Sequence, residues 1–236
     1  MDLKDKTIII TGGARLGQTV AEYLKNKGAN LVITYFNDQK EVGPHGVGVQ
    51  ADVSKKEDVE RVVEFAKQQF GRVDGLVHMA AIYEKSLWQD LSEKHWDKNM
   101  NVIAKSTFLF GKILGDELLK NDGDIKGKMI FFADWSVLTS PYKDYLAYNA
   151  AKSAVVGLTK SLAKELAPGV LVNAIAPGPM LRPPDLSDQE NEEAMAGTPL
   201  KRWGGADEIA KGVCYLFDTD FVTGHILTID GGRTIA

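Results

Sequence analysis

Tyr148 and Lys152 have the residue types and the spacing for proton transfer. On a helix, a separation of four residues places both side chains on one face, one turn apart. A free phenol titrates near ~10, and a neighbouring ammonium group lowers that pKa by stabilising the phenolate. The pair is therefore expected to act as a general acid or base near neutrality, as carbonyl reduction by hydride requires. An ordinary exposed helix face would show the same spacing, so other features must support this interpretation.

A glycine turn near the N-terminus has the features of a phosphate-binding loop. The apolar run Thr7–Thr11 leads into Gly12 and Gly13, and an amphipathic helical pattern follows at once. Glycines let the backbone turn tightly and approach a ligand. The N–H groups and the dipole at the start of a helix then favour a diphosphate. The same turn could merely pack a helix against a sheet, so its place in the fold matters.

Short apolar runs alternate with helical patterns along nearly the whole chain. The predicted strands are Thr7–Thr11, Asn30–Thr34, Gly46–Gln50, Gly75–His78, Lys128–Ala133, Val170–Ala174 and His225–Ile229. Runs this continuously apolar indicate a parallel sheet that is covered on both faces. We therefore predict a single α/β domain over residues 1–236, with a doubly wound parallel sheet of about seven strands. Dinucleotides bind at the first strand-to-helix turn of such sheets.

Three local patterns give further expectations. Ser54 and Glu57 have the spacing of a capping box at the start of a helix. About ten residues separate Tyr35 from Gly46, which leaves room for a loop or a single helical turn rather than a crossover helix. The polar stretch 183–197 is expected to be a mobile substrate loop or lid, within residues 181–198.

Composition excludes several classes of function. The net charge is −4, with Lys+Arg 28 and Asp+Glu 32 scattered along the chain, whereas a nucleic-acid-binding face needs a basic patch. Cys214 is the only cysteine, so an internal disulfide is impossible, which fits a reducing compartment. No signal peptide or membrane span is recognisable, and the four histidines lack metal-ligand spacing. The expected protein is cytoplasmic and binds no metal, membrane or nucleic acid.

The two chemical motifs together resemble the short-chain dehydrogenase/reductase family. The turn Thr11-Gly-Gly-Ala-Arg-Leu-Gly17 is similar to the family's T-G-x-x-x-G-x-G but one residue shorter, and Tyr148-Asn-Ala-Ala-Lys152 matches its Tyr-x-x-x-Lys. Other matching segments are Asp52-Val53, Ala80-Ala81, Pro177-Gly-Pro-Met180, residues 199–204 and residues 223–232. The resemblance implies a Rossmann-like fold, a nicotinamide cofactor and a small-molecule substrate. The implied cofactor-binding residues are Gly12, Arg15, Leu16, Gly17, Asn37, Asp52, Val53, Ala80, Ala81, Lys152, Pro177, Gly178 and Met180.

The end of the second strand bears on the choice of dinucleotide. It reads Thr34-Tyr-Phe-Asn37, without the carboxylate that binds the ribose 2′-hydroxyl of NAD. Arg15 in the glycine turn could bind a 2′-phosphate, although it could equally be a solvated loop residue. NADP(H) is favoured and NAD(H) is not excluded.

The third catalytic residue has two candidates. The family usually has a Ser about a dozen residues before the Tyr, and Ser136 has nearly that spacing. Counting forward from the strand instead places Asp134 there, and we prefer Asp134 because a strand fixes register more firmly than a loop. Asp134-Trp135 resembles the pteridine-reductase-like branch, in which Asp replaces Ser. Asp134 could also simply cap its loop. Trp135, Ser136 and Met180 adjoin the site and are candidate substrate contacts.

The family's fourth member is an Asn, and Ile103 occupies its position, while Asn101 is expected to point elsewhere. The leading hypothesis is an NADP-preferring reductase of a carbonyl or a pterin-like C=N bond, with Tyr148, Lys152 and Asp134 as catalytic residues. The alternatives are a 3-oxoacyl-type carbonyl reductase that uses Ser136, and a scaffold that binds dinucleotide with little catalysis. The resemblance also implies a homotetramer or dimer, packed through the helices after Asn99 and Tyr148.

Overall fold

The computed structural model describes residues 1–182 and 186–236, which are built around one seven-stranded parallel sheet. Its strands are β1 Thr7–Thr11, β2 Asn30–Tyr35, β3 Val47–Gln50, β4 Gly75–His78, β5 Gly127–Phe132, β6 Val170–Pro177 and β7 Ile226–Ile229. They lie in the order β3-β2-β1-β4-β5-β6-β7. The predicted doubly wound fold is confirmed. The predicted strand bounds differ only at the ends, most at β6, which continues to Pro177 rather than ending at Ala174.

Helices cover both faces of the sheet. They are α1 Leu16–Asn26, α2 Lys56–Phe70, α3 Glu93–Asn99, α4 Ser106–Leu118, α5 Leu146–Leu166, α6 Asp188–Ala196 and α7 Ala206–Asp218. Two separate apolar clusters form the core: one packs α2, α4 and α5 against the sheet, and the other packs α1 and α7. A π-helical stretch, Met100–Lys105, joins α3 directly to α4.

The strand order reverses at β1, which pairs with both β2 and β4. The crevice of a doubly wound sheet opens at this point, beyond the carboxyl ends of the strands. The segments that follow Thr11, His78, Phe132 and Pro177 therefore all begin at the same edge of the sheet. The predicted glycine turn and the predicted catalytic segment consequently face one crevice.

The short connection between β2 and β3 contains only a 3₁₀ turn, Gln39–Val42, as expected. This turn packs against the glycine turn, since a Cβ on Gly13 would lie 2.7 Å from the Glu41 carbonyl oxygen. The side-chain nitrogen of Gln18 donates to the carbonyls of both Gly13 and Glu41. One α1 side chain thus clamps the two turns together.

The predicted capping box at Ser54 is wrong. Helix α2 begins at Lys56, and no side chain caps its first turn. The Ser54 hydroxyl instead donates to Asp52 Oδ1 at 2.6 Å. Asp52 lies only two residues away and competes for this hydroxyl, so the turn before α2 is closed on itself.

The segment expected to form a substrate loop contains helix α6 over Asp188–Ala196. Residues 183–185 of that segment lie outside the described residues. Within residues 1–182 and 186–236, none of the helices has the length and apolar character needed to cross a membrane.

Gly17 should be intolerant of a side chain, because a Cβ there would collide with the carbonyl oxygen of Gly12. Overpacking of this kind costs about 1–3 kcal/mol, so Gly17→Ala should lower the free energy of unfolding by that amount in urea denaturation. Glu22→Ala, on the exposed side of the same helix, should change it by less than about 0.5 kcal/mol. Equal stability of the two variants would contradict the close contact between α1 and the glycine turn.

Candidate active site

Tyr148 and Lys152 lie in α5 and are buried at the carboxyl end of β5. The Lys152 ammonium nitrogen lies 5.8 Å from the centre of the Tyr148 ring. Lys152 donates a hydrogen bond of 2.6 Å to the carbonyl oxygen of Phe132, the last residue of β5. The structure thus brings the predicted pair together and anchors it to the sheet.

Asp134 uses its two carboxylate oxygens separately. Oδ1 accepts a hydrogen bond of 2.9 Å from the backbone N–H of Ser136, at the start of the 3₁₀ turn Trp135–Leu138. Oδ2 accepts a hydrogen bond of 2.7 Å from the Tyr148 hydroxyl. The loop-capping role and the contact with the phenol therefore coexist in one side chain.

Ser136, the alternative third residue, is fully buried. Its hydroxyl oxygen has no hydrogen-bond partner among the described residues. It is also absent from the lining of the cleft, whereas Asp134 and Trp135 belong to that lining. The geometry therefore places Asp134, and not Ser136, beside Tyr148.

The expectation that the ammonium group lowers the pKa of Tyr148 is wrong for this structure. Burial raises the pKa of Tyr148 well above its ordinary value, and the charge and hydrogen bond of Asp134 raise it further. Burial also lowers the pKa of Lys152 to about 8, against an opposing effect of Asp134. A carboxylate in direct contact outweighs an ammonium several ångströms away. Tyr148 is therefore a protonated donor at neutral pH.

A cleft of about 880 Å³ runs along the carboxyl edge of the sheet. The predicted cofactor residues that line it are Gly12, Arg15, Leu16, Asp52, Val53, Ala80, Ala81, Lys152, Pro177, Gly178 and Met180. Gly17 and Asn37 do not line it: Gly17 packs beneath Gly12, and Asn37 is exposed beyond Phe36. The predicted set thus forms one continuous surface with two exceptions.

Gly12 lines the cleft and lets the ends of β1 and β4 approach closely because it lacks a side chain. Its φ is +74°, a conformation that favours glycine. A Cβ there would lie 2.9 Å from the backbone nitrogen of Ala80. That Ala80 N–H donates to the Thr11 hydroxyl at 3.1 Å, so the ends of β1 and β4 are held close together.

A buried polar chain lies beside the position of the family's Asn, and the sequence analysis missed it. Ile103 is buried in the π-helical stretch, and Asn101 is exposed. His78 contacts the Thr11 hydroxyl through Nδ1 at 2.7 Å and the Ser106 hydroxyl through Nε2 at 2.8 Å. Burial lowers the pKa of His78 to about 3, so the ring is neutral. Its place two residues before the matching segment Ala80-Ala81 was the available signal.

The far end of the cleft is lined by residues that the sequence analysis did not assign to the site. They include Tyr83, Tyr142, Trp203 and Arg233. The Tyr83 ring stacks on Tyr145 with centres 4.6 Å apart and meets Tyr148 edge-on at 5.0 Å. The repeated spacing of Tyr142, Tyr145 and Tyr148 was a usable signal. Tyr83 lies in an irregular loop, and no sequence signal marked it as a site residue.

Comparison with known proteins places this geometry in a family. Residues 13–234 match the family model described as enoyl-(acyl carrier protein) reductase. The NAD-dependent glycerol dehydrogenase of Listeria innocua is 32% identical over 99% of this chain and 96% of its own length. The chain belongs to the short-chain dehydrogenase/reductase family. It is therefore an oxidoreductase of a family that uses NAD(P)(H).

Two further family members support the assignment over the full length. The 3-oxoacyl-acyl-carrier-protein reductase FabG of Escherichia coli is 30% identical over 98% of both chains. A short-chain dehydrogenase/reductase from Serratia marcescens superposes with a TM-score of 0.89 at 27% identity, covering 99% of this chain and 100% of the other. The family fold thus extends over the whole chain.

The buried ammonium group of Lys152 should leave a signature in the pH dependence of stability. Its pKa of about 8 lies below that of an unfolded lysine, near ~10.4. The unfolded chain holds this proton at pH values where the folded protein has lost it. The free energy of unfolding should therefore gain up to about 1.4 kcal/mol per pH unit as pH rises from about 8 towards about 10.

Urea denaturation across this pH range measures the effect. Lys152→Met should lose the rise, whereas Lys160→Met, which removes an exposed lysine from the same helix, should keep it. Parallel pH profiles for the native protein and Lys152→Met would contradict the lowered pKa.

Proposed function

We propose that this protein is an NAD(P)H-dependent carbonyl reductase in which Tyr148 donates the proton to the substrate oxygen. The observation that carries the proposal is the Tyr148 hydroxyl, which donates to Asp134 at 2.7 Å in a cleft that also contains Lys152. Reduction of a carbonyl needs an acid at oxygen while hydride adds at carbon. A buried phenol that retains its proton meets this need.

The residues of the cleft fit a dinucleotide cofactor. Gly12 lines the cleft next to the N-terminus of α1, where a diphosphate is favoured. Lys152 would hold the nicotinamide ribose, and the segment Pro177–Met180 would flank the ring. The cofactor, when bound, supplies the hydride. Lys152 has one hydrogen-bond partner among the described residues, Phe132, so its other N–H groups are available to ribose hydroxyls.

Asp134 supports a place in the pteridine-reductase-like branch. Its carboxylate accepts the phenolic hydrogen, so Tyr148 must turn its hydroxyl from Asp134 to the substrate when it reacts. Asp134 would then orient the phenol and relay a proton to it. The aromatic side chains at this end of the cleft suit a flat ring, which extends the proposal from simple carbonyls to the C=N bond of a pterin-like substrate.

NADP(H) is the proposed cofactor. Arg15 lines the same end of the cleft as Thr34 and Phe36. Among the described residues, no hydrogen bond or ion pair engages its guanidinium group. Glu41 also borders this end, so a 2′-phosphate would depend on Arg15 to outweigh a nearby carboxylate.

We further propose a cytoplasmic homo-oligomer packed through the faces of α4 and α5. Phe108 on α4 and Leu146 on α5 are about half exposed in the single chain. Exposed large apolar side chains on neighbouring helices are typical of subunit interfaces.

Separate substitution of three of the candidate catalytic residues, Tyr148, Asp134 and Ser136, tests the proposed reaction centre. Tyr148→Phe should lower the rate of NADPH oxidation by about 10²–10⁴-fold, the usual worth of a general acid. Asp134→Ala should do more harm than Ser136→Ala, since only Asp134 contacts Tyr148. The assay uses a panel of diketones, quinones and pterins. Tight NADPH binding without turnover of any of them would support the inert scaffold, and greater harm from Ser136→Ala would support the 3-oxoacyl type.

Arg15→Gln should raise KM for NADPH roughly tenfold or more while leaving KM for NADH nearly unchanged, because a charged hydrogen bond to the 2′-phosphate is lost. Lys40→Gln is the matched control: Lys40 is an exposed cation near the same end, outside the cleft lining. Steady-state kinetics with both cofactors gives the comparison. An equal rise for NADPH and NADH would reject Arg15 as the phosphate-binding residue.

A further inference from the structure

The substrate end of the cleft has aromatic walls that are held in fixed positions. The indole N–H of Trp135 donates to the Tyr142 hydroxyl at 2.6 Å, and the two rings meet edge-on with centres 5.7 Å apart. The indole N–H of Trp203 donates to Asn191 Oδ1 on α6 at 2.9 Å. Trp135 is buried behind this surface, whereas Tyr142 and Trp203 are partly exposed in the cleft, and the hydrogen bonds at their polar ends fix how the rings lie. This end of the cleft is therefore shaped for a flat molecule.

Arg233 adds a positive charge to the same walls. Its guanidinium carbon lies 4.9 Å from the centre of the Trp135 ring. Asp230 fixes the C-terminal turn that carries it, by accepting from the backbone N–H groups of Gly232 at 2.9 Å and Thr234 at 2.7 Å. A cation above an indole face is attracted by the ring. The position of the guanidinium group is thus fixed by the backbone behind it and the ring beneath it.

Most of the hydrogen-bonding capacity of Arg233 is unused. Nη1 donates to the Ala194 carbonyl and to the Thr198 hydroxyl. Across the part of the chain that the structure describes, Nη2 and Nε have no acceptor and no carboxylate pairs with the group. Lys98 differs, because it lines the same cleft but is held by both oxygens of Glu84 at 2.6 and 2.7 Å. Among the described residues, Arg233 is therefore the cation of this end, apart from Lys152 in the reaction centre, whose donors remain free for an anion.

We infer that Arg233 binds a negatively charged group of the substrate, and that the substrate is a flat, conjugated carbonyl compound bearing a carboxylate or similar oxyanion. The inference rests on the proposed function, since it names the substrate of the same site. A guanidinium group matches two oxyanion oxygens with paired N–H donors. The aromatic walls hold the ring while Arg233 fixes its acidic end. The reacting oxygen is then directed towards Tyr148, because the like charge of Asp134 disfavours the reverse orientation.

The alternative is that Arg233 only holds α6 in place, through its hydrogen bond to the Ala194 carbonyl. The two roles predict different results for a charged ligand and its neutral counterpart. Loss of a residue that only holds α6 in place weakens the binding of both ligands, whereas loss of an anion-binding residue weakens the binding of the charged ligand alone.

The test compares 4-acetylbenzoate with its methyl ester, by quenching of tryptophan fluorescence in protein saturated with NADP. The acid should bind roughly ten- to hundredfold more tightly than the ester, the usual worth of a charged hydrogen bond. Arg233→Gln should abolish this preference without weakening the ester, Arg233→Lys should retain part of it, and Lys98→Gln should leave it unchanged.

Two results would overturn the inference: no preference for the acid in the native protein, including failure of both ligands to bind, or equal weakening of both ligands in Arg233→Gln. NADPH oxidation with each ketone is measured separately. Acid-selective binding without turnover of either ketone or of any compound in the panel would refute the proposed reductase and leave the anion site intact, so the two proposals fail independently.

Discussion

The hydrogen bond from Tyr148 to Asp134 sets the charge state of the whole reaction centre. Burial alone would drive the proton off Lys152, and the charge of Asp134 opposes this. Burial raises the pKa of Tyr148, and the same carboxylate raises it further. The charge states of Tyr148, Lys152 and Asp134 therefore depend on one another, because buried charges are poorly hydrated. The centre holds its proton on Tyr148 and its negative charge on Asp134, which suits an acid more than a base.

The sheet makes this arrangement possible because it brings distant segments to one edge. Phe132 ends β5 and offers its carbonyl oxygen to Lys152, while Pro177 ends the neighbouring strand β6 and also lines the cleft. The connection between β2 and β3, which has a 3₁₀ turn in place of an α-helix, also stabilises the glycine turn. The short turn there lies against the glycine turn, and Gln18 bonds to both. A glycine turn one residue shorter than the family pattern is thus supported from the side.

Local patterns predicted the features that depend on local physics. Continuous apolar runs located the strands, since both faces of a parallel sheet are buried, and the spacing of Tyr148 and Lys152 placed them together. The pKa of Tyr148 went the opposite way from the prediction, because burial raises it and the contact with Asp134 raises it further, and neither effect can be read from local spacing. Tyr83 and Arg233 were missed because they come from segments 150 residues apart in the chain, brought to one cleft by the fold. Local sequence spacing cannot reveal contacts between segments this far apart in the chain.

If Ile103 stands in place of the family's Asn, as the resemblance implies, the proposed reaction must obtain its protons by another route. The π-helical stretch frees backbone carbonyls, and those of Val102 and Ile103 are bonded by the hydroxyls of Ser106 and Thr107. The Ser106 hydroxyl donates its hydrogen to the Val102 carbonyl, so it can only accept from His78 Nε2. His78 Nδ1 then carries no hydrogen and accepts from the Thr11 hydroxyl. This chain is closed and neutral, so it has no proton to deliver to Lys152. If Tyr148 gives up its proton as proposed, the replacement must arrive from the cleft, and Asp134 is the titratable group in contact with it there.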